Sequence, residues 1–131
     1  MWLSEKAALG SRESEPGAEV GTVTAGGVRP SVMLGGERRR LEVVSPGGIF
    51  WAPVQGEQVL VTRCGDEEFV SGALRGQKAP ELEPGEVCVR AGQSRVRVFA
   101  DGRIELHGVV NVVGELRLNG ANILSMMGGL L

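Results

Sequence analysis

The sequence predicts an all-β chain in two parts, a small barrel followed by a strand-repeat stalk with no interior of its own. Three observations predict it. Glycine is frequent, 21 of 131 residues, while aromatic residues make up only 4% and tyrosine is absent. Short runs of Val, Leu and Ile alternate with Gly-rich turns along most of the chain. Beyond residue 86 the turns recur at a fixed spacing and the apolar residues keep to one phase. Glycine supplies the positive φ that tight turns need and weakens helix interiors, and Val suits a pleated surface. With so few large aromatic side chains, one deep core is not expected.

Taken in order, residues 1–18 read as a leader. Gly10-Ser11-Arg12-Glu13-Ser14-Glu15-Pro16-Gly17 is polar and turn-rich. Ahead of it Trp2, Leu3, Ala7, Ala8 and Leu9 suit one or two helical turns, too short to hold without a docking partner. Residues 19–76 read as the barrel. Strands are predicted at Glu19–Thr24, Ser31–Leu34 and Arg39–Val44, closed by Gly26-Gly27, Gly35-Gly36 and Ser45-Pro46-Gly47-Gly48. After Ile49–Val54 comes a strong strand, Gln58–Thr62. The turn Cys64-Gly65-Asp66-Glu67 then returns the chain as Glu68–Leu74, a hairpin. Five or six short strands in about 60 residues suggest a small closed barrel of the OB type, with an SH3-like barrel as the alternative.

Residues 77–85, with Pro80 and Pro84, read as a linker. Residues 86–122 form the stalk. Strand units Glu86–Arg90, Ser94–Phe99, Arg103–His107, Val109–Val113 and Glu115–Leu118 follow one another; Gly92 ends the first, and glycines 102, 108, 114 and 120 close the other four at six-residue spacing. Val96, Val98, Ile104, Leu106, Val110, Val112, Leu116 and Leu118 all occupy even positions. Arg95, Arg97, Arg103, Glu105, Asn111, Glu115 and Arg117 occupy odd ones. A period of two sends the first set to one face and the second to water. An even repeat length keeps every unit in that phase.

A lone ribbon of such strands is marginal. Three copies around a threefold axis would bury all eight apolar residues, each worth roughly 1.5–3 kcal/mol before entropy is subtracted. Folding and trimerisation would then be one event, and assembly would cover strand edges that invite aggregation. Leu106→Asp should place three charges on that axis. Residues 123–131 make an apolar tip. There Ile123, Leu124, Met126 and Met127 either plug the axis or form a sticky apex that meets a tip protein or lipid.

Composition argues against several functions. A net charge of −2 gives no field to attract nucleic acid or anionic lipid. Arg38-Arg39-Arg40 is the local exception and reads as a solvated edge. Cys64 and Cys88 lack a C-x-x-C spacing and suggest reduced, buried or half-buried thiols. The first residues show no basic and apolar signal pattern, which suggests synthesis in the cytoplasm. No stretch is apolar for long enough to span a bilayer. No catalytic triad, phosphate loop or metal-ligand cluster is apparent, so no enzyme, cofactor or metal is expected.

Gly48-Ile49-Phe50-Trp51-Ala52-Pro53-Val54-Gln55-Gly56-Glu57-Gln58-Val59-Leu60-Val61, followed by Val70-Ser71-Gly72-Ala73-Leu74-Arg75-Gly76, resembles the OB segment of phage baseplate assembly protein V. The related central spikes of contractile injection systems share the pattern. Asp101-Gly102-Arg103-Ile104-Glu105-Leu106-His107-Gly108 and Gly114-Glu115-Leu116-Arg117-Leu118-Asn119-Gly120 look like that family's triple-stranded β-helix. The resemblance covers about residues 18–122 and rests on the order of barrel, linker and hexad repeats. It implies a homotrimeric needle at the centre of a bacterial virus tail or injection particle, driven through a target cell envelope. Stiffness and kinetic stability are what such a part needs. It also implies baseplate hub or tail-tube partners, with Trp2 and Leu3 as the hub-docking residues. Many relatives hold a metal through His-x-His; here the lone His107 lies between Leu106 and Gly108, and that site does not carry over. Two other functions compete. One is an OB module binding oligonucleotide or saccharide through Phe50, Trp51, Phe69 and Arg38 to Arg40. The other is a trimeric scaffold with no piercing role.

Overall fold

In a computed structural model, which describes residues 17–76 and 79–128, the chain is all-β and divides into two compact units at Ala79/Pro80. Trp2 and Leu3 lie outside the described residues.

The first unit is one curled sheet, a half-barrel. Its strands are β1 (Ala18–Ala25), β2 (Ser31–Met33), β3 (Glu37–Arg38), β4 (Glu42–Val43), β5 (Gln58–Cys64) and β6 (Glu67–Ala73). They lie in the order β3-β2-β1-β5-β6-β4, all pairs antiparallel except β4 with β6. The β5–β6 turn is Gly65-Asp66, with Gly65 at φ 63° in the first central position, as a type II′ hairpin requires.

The third predicted strand, Arg39–Val44, is corrected. It is two short strands on opposite edges of the sheet, β3 ending at Arg38 and β4 starting at Glu42. Between them Arg40 takes φ 55°, the left-handed conformation that swings the chain from one edge to the other. The curl brings those edges into reach: Arg38 Nε lies 2.8 Å from Glu68 Oε1, and the Leu41 amide donates to the Pro30 carbonyl at 2.9 Å.

Curling gives this unit an interior. Val23, Val32, Leu41, Val59, Val61 and Val70 form the buried cluster, with Leu34, Val43 and Trp51 packed against it. Trp51 therefore belongs to the barrel. The segment before β5 is fastened over β1: the Val23 amide donates to the Glu57 carbonyl at 2.9 Å and the Gly56 amide to the Val23 carbonyl at 2.8 Å. Gly21, buried in the middle of β1, is there because nothing larger fits. A β-carbon would stand 2.5 Å from side-chain carbons of both Leu34 and Val32.

The second unit has a different plan. Strands β7 (Val87–Ala91), β8 (Ser94–Val98) and β9 (Ile104–His107) form an antiparallel meander. A short hairpin follows, β10 (Arg117–Leu118) and β11 (Ala121–Asn122), and then a helix, α1 (Ile123–Gly128). Asn119 at φ 50° and Gly120 at φ 82° give the hairpin the positive-φ pair of a type I′ turn. The four repeat glycines, 102, 108, 114 and 120, all adopt positive φ. The described residues of one chain show a meander here. The predicted strand Val109–Val113 has no strand pairing among the described residues.

Candidate functional site

The second unit's candidate site is a face, and the register builds it. Val87 stands opposite Val98 and Val98 opposite Ile104; Val89 stands opposite Val96 and Val96 opposite Leu106. Residues directly opposite on neighbouring strands share a face, so six branched side chains form two rows on one side of the sheet. None of the described residues covers them. Val96 and Val98 are 38% exposed, Leu106 56% and Ile104 64%. Val110, Val112, Leu116 and Leu118, from the same even-numbered set, are also exposed. Among the described residues of this unit, none is buried. At one end the apolar rows border an open groove of about 400 Å³, lined in part by Val89, Val96, Leu106, Val109 and Val110.

The structure thus brings Val96, Val98, Ile104 and Leu106 together. Val110 and Val112 follow on the unpaired segment, and Leu116 and Leu118 flank or lie in the last hairpin. Sequence reasoning missed Val87 and Val89, which occupy odd positions. The signal was present: β7 and β8 join through the two-residue turn Gly92-Gln93, with Gly92 at φ 58°. Such a turn pairs Ala91 with Ser94, so odd positions of β7 face the same way as even positions of β8.

The opposite face is polar and tied together. Arg97 Nη2 donates to Glu86 Oε1 at 2.8 Å and to the Glu81 carbonyl at 3.1 Å, drawing the last residues of the predicted linker, 81–85, and Glu86 onto β8. That bond from Arg97 holds the Glu86 carboxyl below its usual range, helped by the Glu83 amide network. Arg97 and Arg103 stack on the Phe99 ring, at 4.7 and 4.1 Å from its centre. His107 is exposed, with Nε2 3.1 Å from Glu105 Oε1. Cys88 is half-buried on this face and free; Cys64, on the first unit, is free and exposed rather than sheltered.

At the tip, Asn122 Oδ1 accepts the Leu124 amide at 2.9 Å and the Ser125 amide at 3.3 Å, a cap that starts α1. The helix was not anticipated, though an Asn before an apolar run is its signal. Ile123 is half-buried, while Leu124 and Met127 are exposed. The Met126 side chain falls outside the described ones. Glu115, held low by bonds from Arg117 at 2.9 Å and Asn122 at 3.0 Å, links β10 to β11.

Among the described residues no group of His, Cys, Asp and Glu is arranged to hold a metal ion, and no helix is long and apolar enough to cross a membrane. On the first unit a smaller groove of about 250 Å³ is lined by Arg29, Arg40, Glu42, Glu67, Glu68 and Phe69, among others. Phe50, on the loop before β5, is 93% exposed and does not line it. No protein-family model matches the chain, and no curated protein matches it.

Proposed function

We propose that this chain is a structural, non-catalytic part, the central spike of a phage tail baseplate or related contractile injection device, acting as a homotrimer. One observation carries the proposal: a sheet with an apolar face that the described residues leave uncovered, continued in the sequence by apolar residues of the same phase through Leu118. Soluble monomers rarely leave such a contiguous patch open. Three copies meeting through these faces would each lend the others an interior. Segment 109–116, with no strand pairing in its own chain, would find hydrogen-bond partners in its neighbours.

The barrel is read as OB-type. Counting β2 and β3 as one broken strand, the first strand lies between the second and fourth, and the third pairs with the fifth in parallel. That is the connectivity an OB barrel has, and it supports the reading. In this role the chain is made in a bacterial cytoplasm and built into the particle. Its partners are a hub or tail-tube protein, a tip protein, and the target envelope. Catalysis and specific nucleic-acid binding are not part of the role.

Sedimentation equilibrium of the purified chain tests it. A mass three times 13.8 kDa is expected at micromolar concentration. A well-folded single-copy species under those conditions overturns it.

One observation favours an OB ligand module instead: the groove edged by Arg40 and Phe69. Its charges are largely answered internally, Arg29 lying 3.2 Å from Glu42 and Arg38 2.8 Å from Glu68. Salt-sensitive binding of single-stranded oligonucleotides would favour this reading.

A further inference from the structure

We propose that copies of this chain join edge to edge, β9 of one against β7 of the next, so that three β7-β8-β9 sheets close into one ring of strands with their apolar faces inside. The proposal rests on the homotrimeric reading and adds to it the strand edges through which each copy takes the next.

Each sheet has two outer strands. Among the described residues, β7 and β9 each pair with β8 alone. The register sets which backbone groups those edges present. Ala91 and Ser94 flank a two-residue turn and so bond to each other, and along an antiparallel ladder bonded and unbonded pairs alternate. Val89 with Val96 and Val87 with Val98 are then bonded pairs too, and Cys88 turns its amide and carbonyl away from β8. On β8 it is Arg95 and Arg97 that bond toward β9, in step with the Phe99 amide, which donates to the Arg103 carbonyl at 2.9 Å. Ile104 and Leu106 therefore point their backbone groups outward. Open edges invite pairing with another chain, and neither strand carries a proline or a register shift to prevent it.

Rotation about an axis along the strands sets β9 beside the next copy's β7 in the same direction, since both run antiparallel to β8. The faces stay in phase. Val87 and Val89 come beside Ile104 and Leu106 on the inside. Cys88 comes beside Glu105 on the outside, or beside Arg103 or His107 if the ring is staggered by two residues. Width fixes the number of copies. A closed sheet of about eight strands has an interior that side chains just fill. At three strands a copy, two copies supply six, three supply nine and four supply twelve, so three fill the ring without a hollow.

Cys88 is free and half-buried on β7, a native reporter. Within one chain β8 separates it from Glu105, about 10 Å at the usual strand spacing, whereas a disulfide needs α-carbons within about 7 Å. In full-length Cys64→Ser protein, Arg103→Cys, Glu105→Cys and His107→Cys are introduced singly, oxidised and separated without reductant. At least one should give a covalent trimer and nothing larger, and Cys64→Ser alone should give none. No cross-link in variants that still sediment as trimers overturns the edge pairing and leaves the homotrimer standing. A single-copy species without cross-links overturns both. Covalent species beyond three overturn the closure. Should the variants fail to fold by circular dichroism, amide exchange in the unaltered protein decides. The Cys88 and Ile104 amides should be protected in the trimer and lose that protection in Leu106→Asp. Fast exchange in the trimer, or equal protection in both proteins, overturns the proposal.

Discussion

The two units use the same side chains to opposite effect. Val23, Val32, Val59 and Val70 of the first are at most 1% exposed; Val87, Val89, Val96 and Val98 of the second are between 38% and 65% exposed. Strand propensity and hydrophobicity are equal in the two sets, so neither decides burial. Curvature does. A register shift between Leu60 and Val61 bends the β5–β6 ladder, and the crossover at Arg40 carries the chain to the far edge. The sheet thereby closes on its own valines. The main sheet of the second unit has three strands of five residues or fewer and, among the described residues, no second layer. A sheet of that size has one face too many for a single chain.

The sharpest way to break this comparison is to place a charge on the open face. Leu106→Asp should abolish the trimer in sedimentation while the barrel keeps its own thermal transition; a variant that stays trimeric and heat-resistant would show that the wrong face has been assigned. The counterpart in the barrel is Gly21→Ala. The added methyl would overlap Leu34, Val32 and the Met33 carbonyl, and overpacking of this kind costs about 1–3 kcal/mol. It should lower the barrel's midpoint in denaturant and leave the assembly's mass unchanged.

Smaller effects sharpen the picture of the second unit. Asn122→Ala removes the cap of α1 and should cost about 1 kcal/mol of local stability, read as lost amide-exchange protection at Leu124 and Ser125. The smallest is acid loosening of residues 81–86. The folded Glu86 carboxyl is held below its ordinary value of 4.5, chiefly because Arg97 donates to it. Its contribution is therefore fully present above about pH 4.5 and lost as pH falls through the lower, folded value. Amide signals of residues 83–86 should move in that acid range and stop doing so in Glu86→Gln. Signals that move alike in both proteins would show that the Arg97 bond does not hold this segment.

Much of this was legible from residue order. The strand at Gln58, the Gly65-Asp66 turn and the phase of Val96 through Leu106 are local facts of pattern and turn chemistry, and the repeat glycines announce their conformation. What local pattern did not reveal was non-local. The break at Arg40 arises because the chain must reach the other sheet edge, a demand nothing near Arg40 expresses. Val87 and Val89 were missed because phase was followed along one numbering parity, whereas the Gly92-Gln93 turn inverts it. The helix at Ile123 was masked by an apolar run too short to show a period. Segment 109–113 carries a strand pattern, yet no described strand pairs with it.

The glycines at 102, 108, 114 and 120 carry one more consequence. Each sits where a side chain is disfavoured, and each closes a unit with an even number of residues. The proposed stalk could therefore be lengthened or shortened by whole hexads without turning its oily side outward, whereas a change of a single residue would invert everything downstream. Reach would become a modular property, adjustable by copying or deleting units.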